Sequence, residues 1–258
     1  AATTLLAGRW RDVTGVTGIV ALGCGSSLSV LVRTSRARLL IAAGDDPDAF
    51  DRAWGSVSRP TTPRLDVLIS AGRAGSAAVP EHVLQRRRPG LTLAIVSPGV
   101  EARASRLAGD GVTVLRRPIR LDMSDGVSVD VEPPRDDDVG GWRVMIGHVD
   151  SRVLLVPDLG SSEPPPGMGA VSATVILAAP RQLVETVPGS GAMVSAATPR
   201  GECPFVGARR VAERDVIGDQ AVRVAWVVAD GDAIAARFQP GQVAFERRGA
   251  WHLPTAEI

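Results

Sequence analysis

The residues of this chain that are equipped for chemistry are few and scattered. Its three histidines are His82, on a helix, His148, near a hairpin turn, and His252, in the tail, so no two are placed to share a metal ion. The two cysteines, Cys24 and Cys203, are far apart and match no C-x-x-C metal or redox spacing. Ser26, Ser27, Ser70 and Ser76 are hydroxyl nucleophiles by type. A serine becomes reactive only with a base within hydrogen-bond reach, and the sequence places none of the three histidines in such a pairing. The Gly23-x-Gly25 spacing reads as a turn and not as a phosphate cradle, because a strand and not a helix follows it.

Positive charge is the other resource. All the cationic side chains are arginine, and Arg86-Arg87-Arg88, Arg116-Arg117, Arg209-Arg210 and Arg247-Arg248 are clusters of the kind that bind phosphate, or that simply solvate a surface. A formal net charge of +1 excludes a protein devoted to wrapping nucleic acid, which needs many uncompensated cations. Tyrosine is absent and aromatics are 3% of the chain, which removes the usual base-stacking platforms.

The elements that must position these residues begin with a short apolar run at 65–69, bounded by Pro63 and Gly72 and too short for a helix. It reads as a buried strand feeding a loop of small residues, Ser70-Ala71-Gly72-Arg73-Ala74-Gly75-Ser76. A helix follows, with Pro80 at its first helical position and a stop at Pro89-Gly90. Such loops lie at the carboxyl ends of strands, where α/β enzymes often keep their chemistry. Upstream, the runs at 19–22, 28–33 and 38–44 read as adjacent antiparallel strands, and Asp45-Asp46-Pro47-Asp48 caps a helix through Phe50, Ala53 and Trp54. Downstream come strands at 92–96 and 112–115, with a helix at 101–107 between them. From Arg120 the pattern turns to β: alternation at 127–131, a hairpin turning at 148–151, strands at 173–177, 192–195 and 222–228, and a terminal hairpin turning at Pro240-Gly241.

The order of these pieces, from about Ile19 to Glu246, resembles the metallo-β-lactamase superfamily, and within it the extracytoplasmic domain of ComEC-type DNA-uptake channel proteins. Where those proteins carry V-G-Q-G-D-S, this chain has Leu22-Gly23-Cys24-Gly25-Ser26-Ser27, and where they carry L-I-D-T-G it has Leu40-Ile41-Ala42-Ala43-Gly44. Their L-L-x-G-D is matched by Leu154-Leu155-Val156-Pro157-Asp158. Their L-k-v-p-H-H-G corresponds to Leu177-Ala178-Ala179-Pro180-Arg181-Gln182-Leu183, and their G-H-P to Glu202-Cys203-Pro204.

The resemblance implies a single domain over 1–258, with 1–18 and 250–258 peripheral, folded as a four-layer αββα sandwich of two mixed sheets. It also implies a cleft that has lost its chemistry. Histidine and carboxylate ligands in the family hold zinc-like ions that make hydroxide available near neutral pH. Here the loop ligands align with Ala71, Arg73, Gly75 and Ser76, the downstream histidine with Arg181 or Gln182, and only Asp158 survives. The vestigial cleft is therefore Ser70, Ala71, Arg73, Gly75, Ser76, Asp158 and Arg181, with no metal and no cofactor. One carboxylate cannot hold a catalytic zinc, and Arg73 and Arg181 bring positive charge to the cation's place.

Two functions follow from that reading. The first is a silent member whose cleft is filled or turned to an anionic ligand such as a nucleic-acid phosphate. The second is a working hydrolase with a non-standard site. A purely structural, extracytoplasmic or membrane-associated domain of a larger protein is a third, since residue 1 is alanine and a signal or membrane segment upstream is expected. The resemblance also brings Cys24 and Cys203 to the same cleft, where a disulfide closing so long a loop would add at most about 4–5 kcal/mol in the chain-entropy model. A buried free thiol is the other state open to Cys24.

Overall fold

A computed structural model describes residues 17–58, 64–71, 78–95, 111–134, 142–157, 171–177, 184–185, 190–196, 205–206, 209–210, 214–215, 224–239 and 242–248. The first three strands are β1 (Gly18–Cys24), β2 (Ser27–Arg33) and β3 (Arg38–Ala42), followed by helix α1 (Pro47–Val57), β4 (Val67–Ser70) and helix α2 (Ala78–Arg87). Next come β5 (Leu91–Ile95), β6 (Val112–Leu115), β7 (Ile119–Asp122), a 3-10 turn (Ser124–Gly126), β8 (Val127–Glu132), β9 (Arg143–His148), β10 (Ser151–Val156) and β11 (Val171–Ile176). The rest is β12 (Val184–Glu185), β13 (Ser190–Ala196), β14 (Phe205–Val206), β15 (Arg209–Arg210), β16 (Arg214–Asp215), β17 (Val224–Val228), β18 (Ala233–Gln239) and β19 (Gln242–Arg248).

These strands form two large mixed sheets, one ordered β16-β19-β18-β1-β2-β3-β4-β5-β6 and the other β15-β17-β13-β11-β10-β9-β8-β7. Their inner faces meet in one apolar core. Ile19, Val30, Ile41, Ile69 and Leu93 of the first sheet pack with Val129, Ile146, Val153, Val175 and Val194 of the second. The outer face of the first sheet is apolar too. Val20, Leu22, Leu31, Leu40 and Leu68 lie under Phe50, Ala53, Trp54 and Val57 of α1 and Val79 and Val83 of α2. A strand buried on both faces needs an unbroken apolar run, and β1 has one. By contrast β8 buries Val127, Val129 and Val131 and leaves Ser128, Asp130 and Glu132 less covered, the alternation of a strand wet on one side. Among the described residues no helix lies on the outer face of the second sheet. The helix expected at 101–107 is outside the described residues.

Helix α1 starts as its sequence demands. The Asp46 side chain caps it by accepting from the Ala49 N–H at 2.9 Å, and Pro47 fills the first turn. Helix α2 begins at Ala78, two residues before the expected start at Pro80; proline is tolerated there because first-turn N–H groups have no partner within the helix. The strand expected at 65–69 is Val67–Ser70, with Leu65 buried just ahead of it. Both expected hairpins form, with His148 opposite Ser151 and Gln239 opposite Gln242. At the first of these tips Val149 has φ 50°, an uncommon conformation for a β-branched residue, and is 77% exposed. No helix among the described residues is long and apolar enough to cross a membrane.

One carboxylate ties the two sheets at the end where β1 begins. Asp125, at φ 60° in the 3-10 turn, accepts from the Ser35 hydroxyl, the Ser35 N–H and the Thr17 hydroxyl, each at 2.6 Å. These donors, the Ser35 hydroxyl foremost, hold its pKa down to about 2 from the ordinary 3.8. A depressed carboxylate pKa contributes stability that is complete above the unfolded value and lost as pH falls through the folded one. The melting-temperature deficit of Asp125→Asn, which keeps the left-handed turn accessible, is therefore expected to be constant at neutral pH and to shrink from about pH 4 to about pH 2. A deficit independent of pH would mean that the charge of Asp125 contributes nothing.

Candidate functional site at the carboxyl rim

Strands β3, β4, β5 and β6 run parallel, as do β10, β11, β13, β17 and β15, so the carboxyl ends of both sets gather at one rim of the sandwich. The two sheets touch there through the Leu28 N–H, which donates to the Leu177 carbonyl at 2.6 Å, while the Leu177 N–H donates to the Val156 carbonyl at 2.9 Å. The antiparallel pairing of β1 and β2 brings the turn at 23–27 to the same rim. Of the positions singled out in the sequence, Ser70 and Ala71 reach this edge for a topological reason: they stand at the carboxyl end of β4.

Of the vestigial set, Ser70 and Ala71 are described. Ser70 ends β4, buried between Ala42 and Ala94, and the Ala71 N–H donates to the Ala42 carbonyl at 2.9 Å. Arg73, Gly75, Ser76, Asp158 and Arg181 lie outside the described residues, as does the Cys203 end of the Cys24–Cys203 pairing. Cys24 itself is a buried free thiol on the helix-facing side of β1. Burial pushes its pKa up to about 12, against a weaker lowering by its bond to Ser29 Oγ at 3.6 Å, so it is protonated and unreactive near neutral pH.

The turn at 23–27 is closed by groups that composition alone did not reveal. The Gly25 N–H donates to Asp230 Oδ1 at 2.7 Å, and the other oxygen of Asp230 meets Arg52 of α1 at 3.4 Å. Asp45 accepts from both the N–H and the hydroxyl of Ser26, each at 3.4 Å. Gly23 bonds the loop after β17 twice, its N–H to the Asp232 carbonyl at 2.9 Å and its carbonyl from the Gly231 N–H at 3.2 Å. Below the turn the buried Ser29 hydroxyl donates to the Ala43 carbonyl at 2.7 Å and accepts from the Ala43 N–H at 3.1 Å. In the sequence Asp45 reads as part of a helix cap. Asp230-Gly231-Asp232 is a legible turn signal, but nothing local says that it reaches back to Gly23 and Gly25.

The described histidines, His82 and His148, stay apart from the rim. The His82 ring lies 2.9 Å from Asp51, in the layer of helices, where Arg86 at 3.0 Å and Arg87 at 3.8 Å share the same carboxylate. Arg87 also stacks over Trp54 at 4.2 Å, so Arg86 and Arg87 join α2 to α1. His148 stacks on Phe238 at 5.1 Å at the opposite rim, and His252 is outside the described residues. Among the described residues Ser26 and Ser27 have no histidine partner; Ser26 is exposed on the turn and Ser27 is buried.

A zinc-like ion requires imidazole, thiolate or carboxylate donors converging on one point. At the end of β4, Ser70 and Ala71 supply a neutral hydroxyl and a methyl. Among the described residues, the carboxylates that close the 23–27 turn are already engaged, Asp230 with Gly25 and Arg52 and Asp45 with Ser26. Among the described residues no group of three or more histidines, cysteines or acids is placed to hold a metal. The described donors do not fit the ion that this fold carries in the metallo-β-lactamases.

No protein-family model matches the chain, and no curated protein sequence matches it. Among solved structures it is similar in fold to zinc-bound PqqB from Methylobacterium extorquens, at 14% identity over 61% of this chain and 70% of that one, with a TM-score of 0.41. The Rm3 metallo-β-lactamase is similar at 17% identity over 60% of this chain and 65% of its own, with a TM-score of 0.40. A motif mutant of the Cronobacter sakazakii metallo-β-lactamase matches at 16% identity over 62% and 69%, with a TM-score of 0.43.

Proposed function

We propose that this chain is a catalytically silent relative of the metallo-β-lactamase superfamily, in which the carboxyl rim has exchanged metal chemistry for binding. The observation that carries the reading is the donor set at the end of β4, where Ser70 and Ala71 offer nothing a zinc-like ion would hold. Arg73 and Arg181 follow the carboxyl ends of β4 and β11, and guanidinium groups are permanent cations that cannot become metal ligands near neutral pH. The same two groups suit an anion, and the ligand class we propose is a phosphate, carried by a nucleic acid or nucleotide. The order of the matched motifs supports a ComEC-like, extracytoplasmic domain of a larger membrane-associated competence protein.

Excess zinc or manganese is expected to leave both the melting temperature and the hydrolysis of a generic phosphodiester unchanged. A specific site filled at 100 times its dissociation constant would add about 2.7 kcal/mol of stability, well within the reach of a thermal melt. Saturable stabilisation, together with activity that disappears in Asp158→Ala, would establish the rival reading, an active hydrolase with a non-standard site.

A further inference from the structure

We infer that the turn at 23–27 is a clasp, locked by Asp230 and Asp45, that holds the shape of the carboxyl rim without help from a metal ion. Three independent ties converge on five residues. Main-chain bonds join Gly23 to the loop after β17, Asp230 bridges the Gly25 N–H to Arg52 of α1, and Asp45, just ahead of the α1 cap, takes Ser26. The turn thereby connects β1 and β2 to both the helical layer and the second sheet. A carboxylate accepting a backbone N–H is among the stronger single hydrogen bonds a surface turn can make.

The packing explains the glycines. A methyl at Gly23 would overlap the Ala229 carbonyl oxygen, and one at Gly25, already at φ 76°, would overlap the Asp45 carboxylate. At Gly231 it would press on the Arg52 guanidinium at 2.9 Å. The spacing G-x-G thus serves the close approach of carboxylate and backbone. The amides of Gly25 and Ser26 already hold carboxylates, so an anionic ligand at this rim must be met by side chains and not by this turn.

The inference rests on the proposed function only in needing no metal, and amide hydrogen exchange separates the two. In Asp230→Ala, exchange at Gly25 and Ser26 is expected to accelerate about tenfold or more, with Leu31 and Ile41 in the core unchanged. Unchanged exchange at Gly25 would overturn the clasp. In the unsubstituted protein a chelator is expected to leave the exchange of these amides as it was; acceleration by the chelator alone would make a metal the lock and overturn the proposed function as well. Should Asp230→Ala not fold, Arg52→Ala serves instead, because it removes only the exposed end of the bridge. A rise of about threefold at Gly25 is then expected, and no rise would count against the clasp.

Discussion

Replacing Phe50 with alanine is expected to destabilise the protein by about 3–5 kcal/mol, the range for emptying a buried phenylalanine site. Phe50 is completely buried on the sheet-facing side of α1, with its ring centroid 5.6 Å from that of Trp54. It shares that apolar layer with Val20, Leu22, Leu31 and Leu40, whose β-strands cannot close over the void without moving the helix. Chemical denaturation should show a lower midpoint with an unchanged slope. A loss below about 1 kcal/mol would mean that α1 does not pack on the first sheet in this way.

Gly23→Ala is the second large effect, at the upper end of the roughly 1–3 kcal/mol that overpacking costs. The added methyl would fall on the Ala229 carbonyl oxygen. This is a backbone atom held close by the Gly23–Asp232 and Gly231–Gly23 hydrogen bonds, and it has no rotamer into which to retreat. The expected result is a lower denaturation midpoint together with faster amide exchange at Gly231 and Asp232. A variant as stable as the parent would mean that β1 and the loop after β17 lie further apart than described.

Local periodicity made much of this fold legible. The antiparallel run of β1, β2 and β3, the alternation of Val127, Val129 and Val131, the cap at Asp46 and both hairpin turns are written in neighbouring residues, where strand and turn preferences act. The pairing of β1 with β18 has no such signature, because a strand apolar on both faces accepts any partner and only the whole topology selects one. The same holds for the site. Ser70 and Ala71 were visible as the loop after a strand, but Asp230 and Arg52 were not, since their meeting with Gly25 depends on contacts between distant parts of the chain. The helical place of His82 is legible locally, while its carboxylate partner Asp51 comes from the other helix, a meeting that no local pattern encodes.

The register of β1 against β18, with Gly18 opposite Arg237 and Leu22 opposite Ala233, also bears on how the protein is made. At about 5–20 residues per second, a ribosome needs roughly 10–40 seconds to travel from the first of these strands to the second. Throughout that interval β1 can pair with β2 on one side only, and its other edge stands open along a strand that is apolar on both faces. The first sheet therefore cannot close while the chain is emerging. Its long-range pairing places this domain among slow folders, for which the hazard lies in the nascent chain and ends only when the last hairpin arrives.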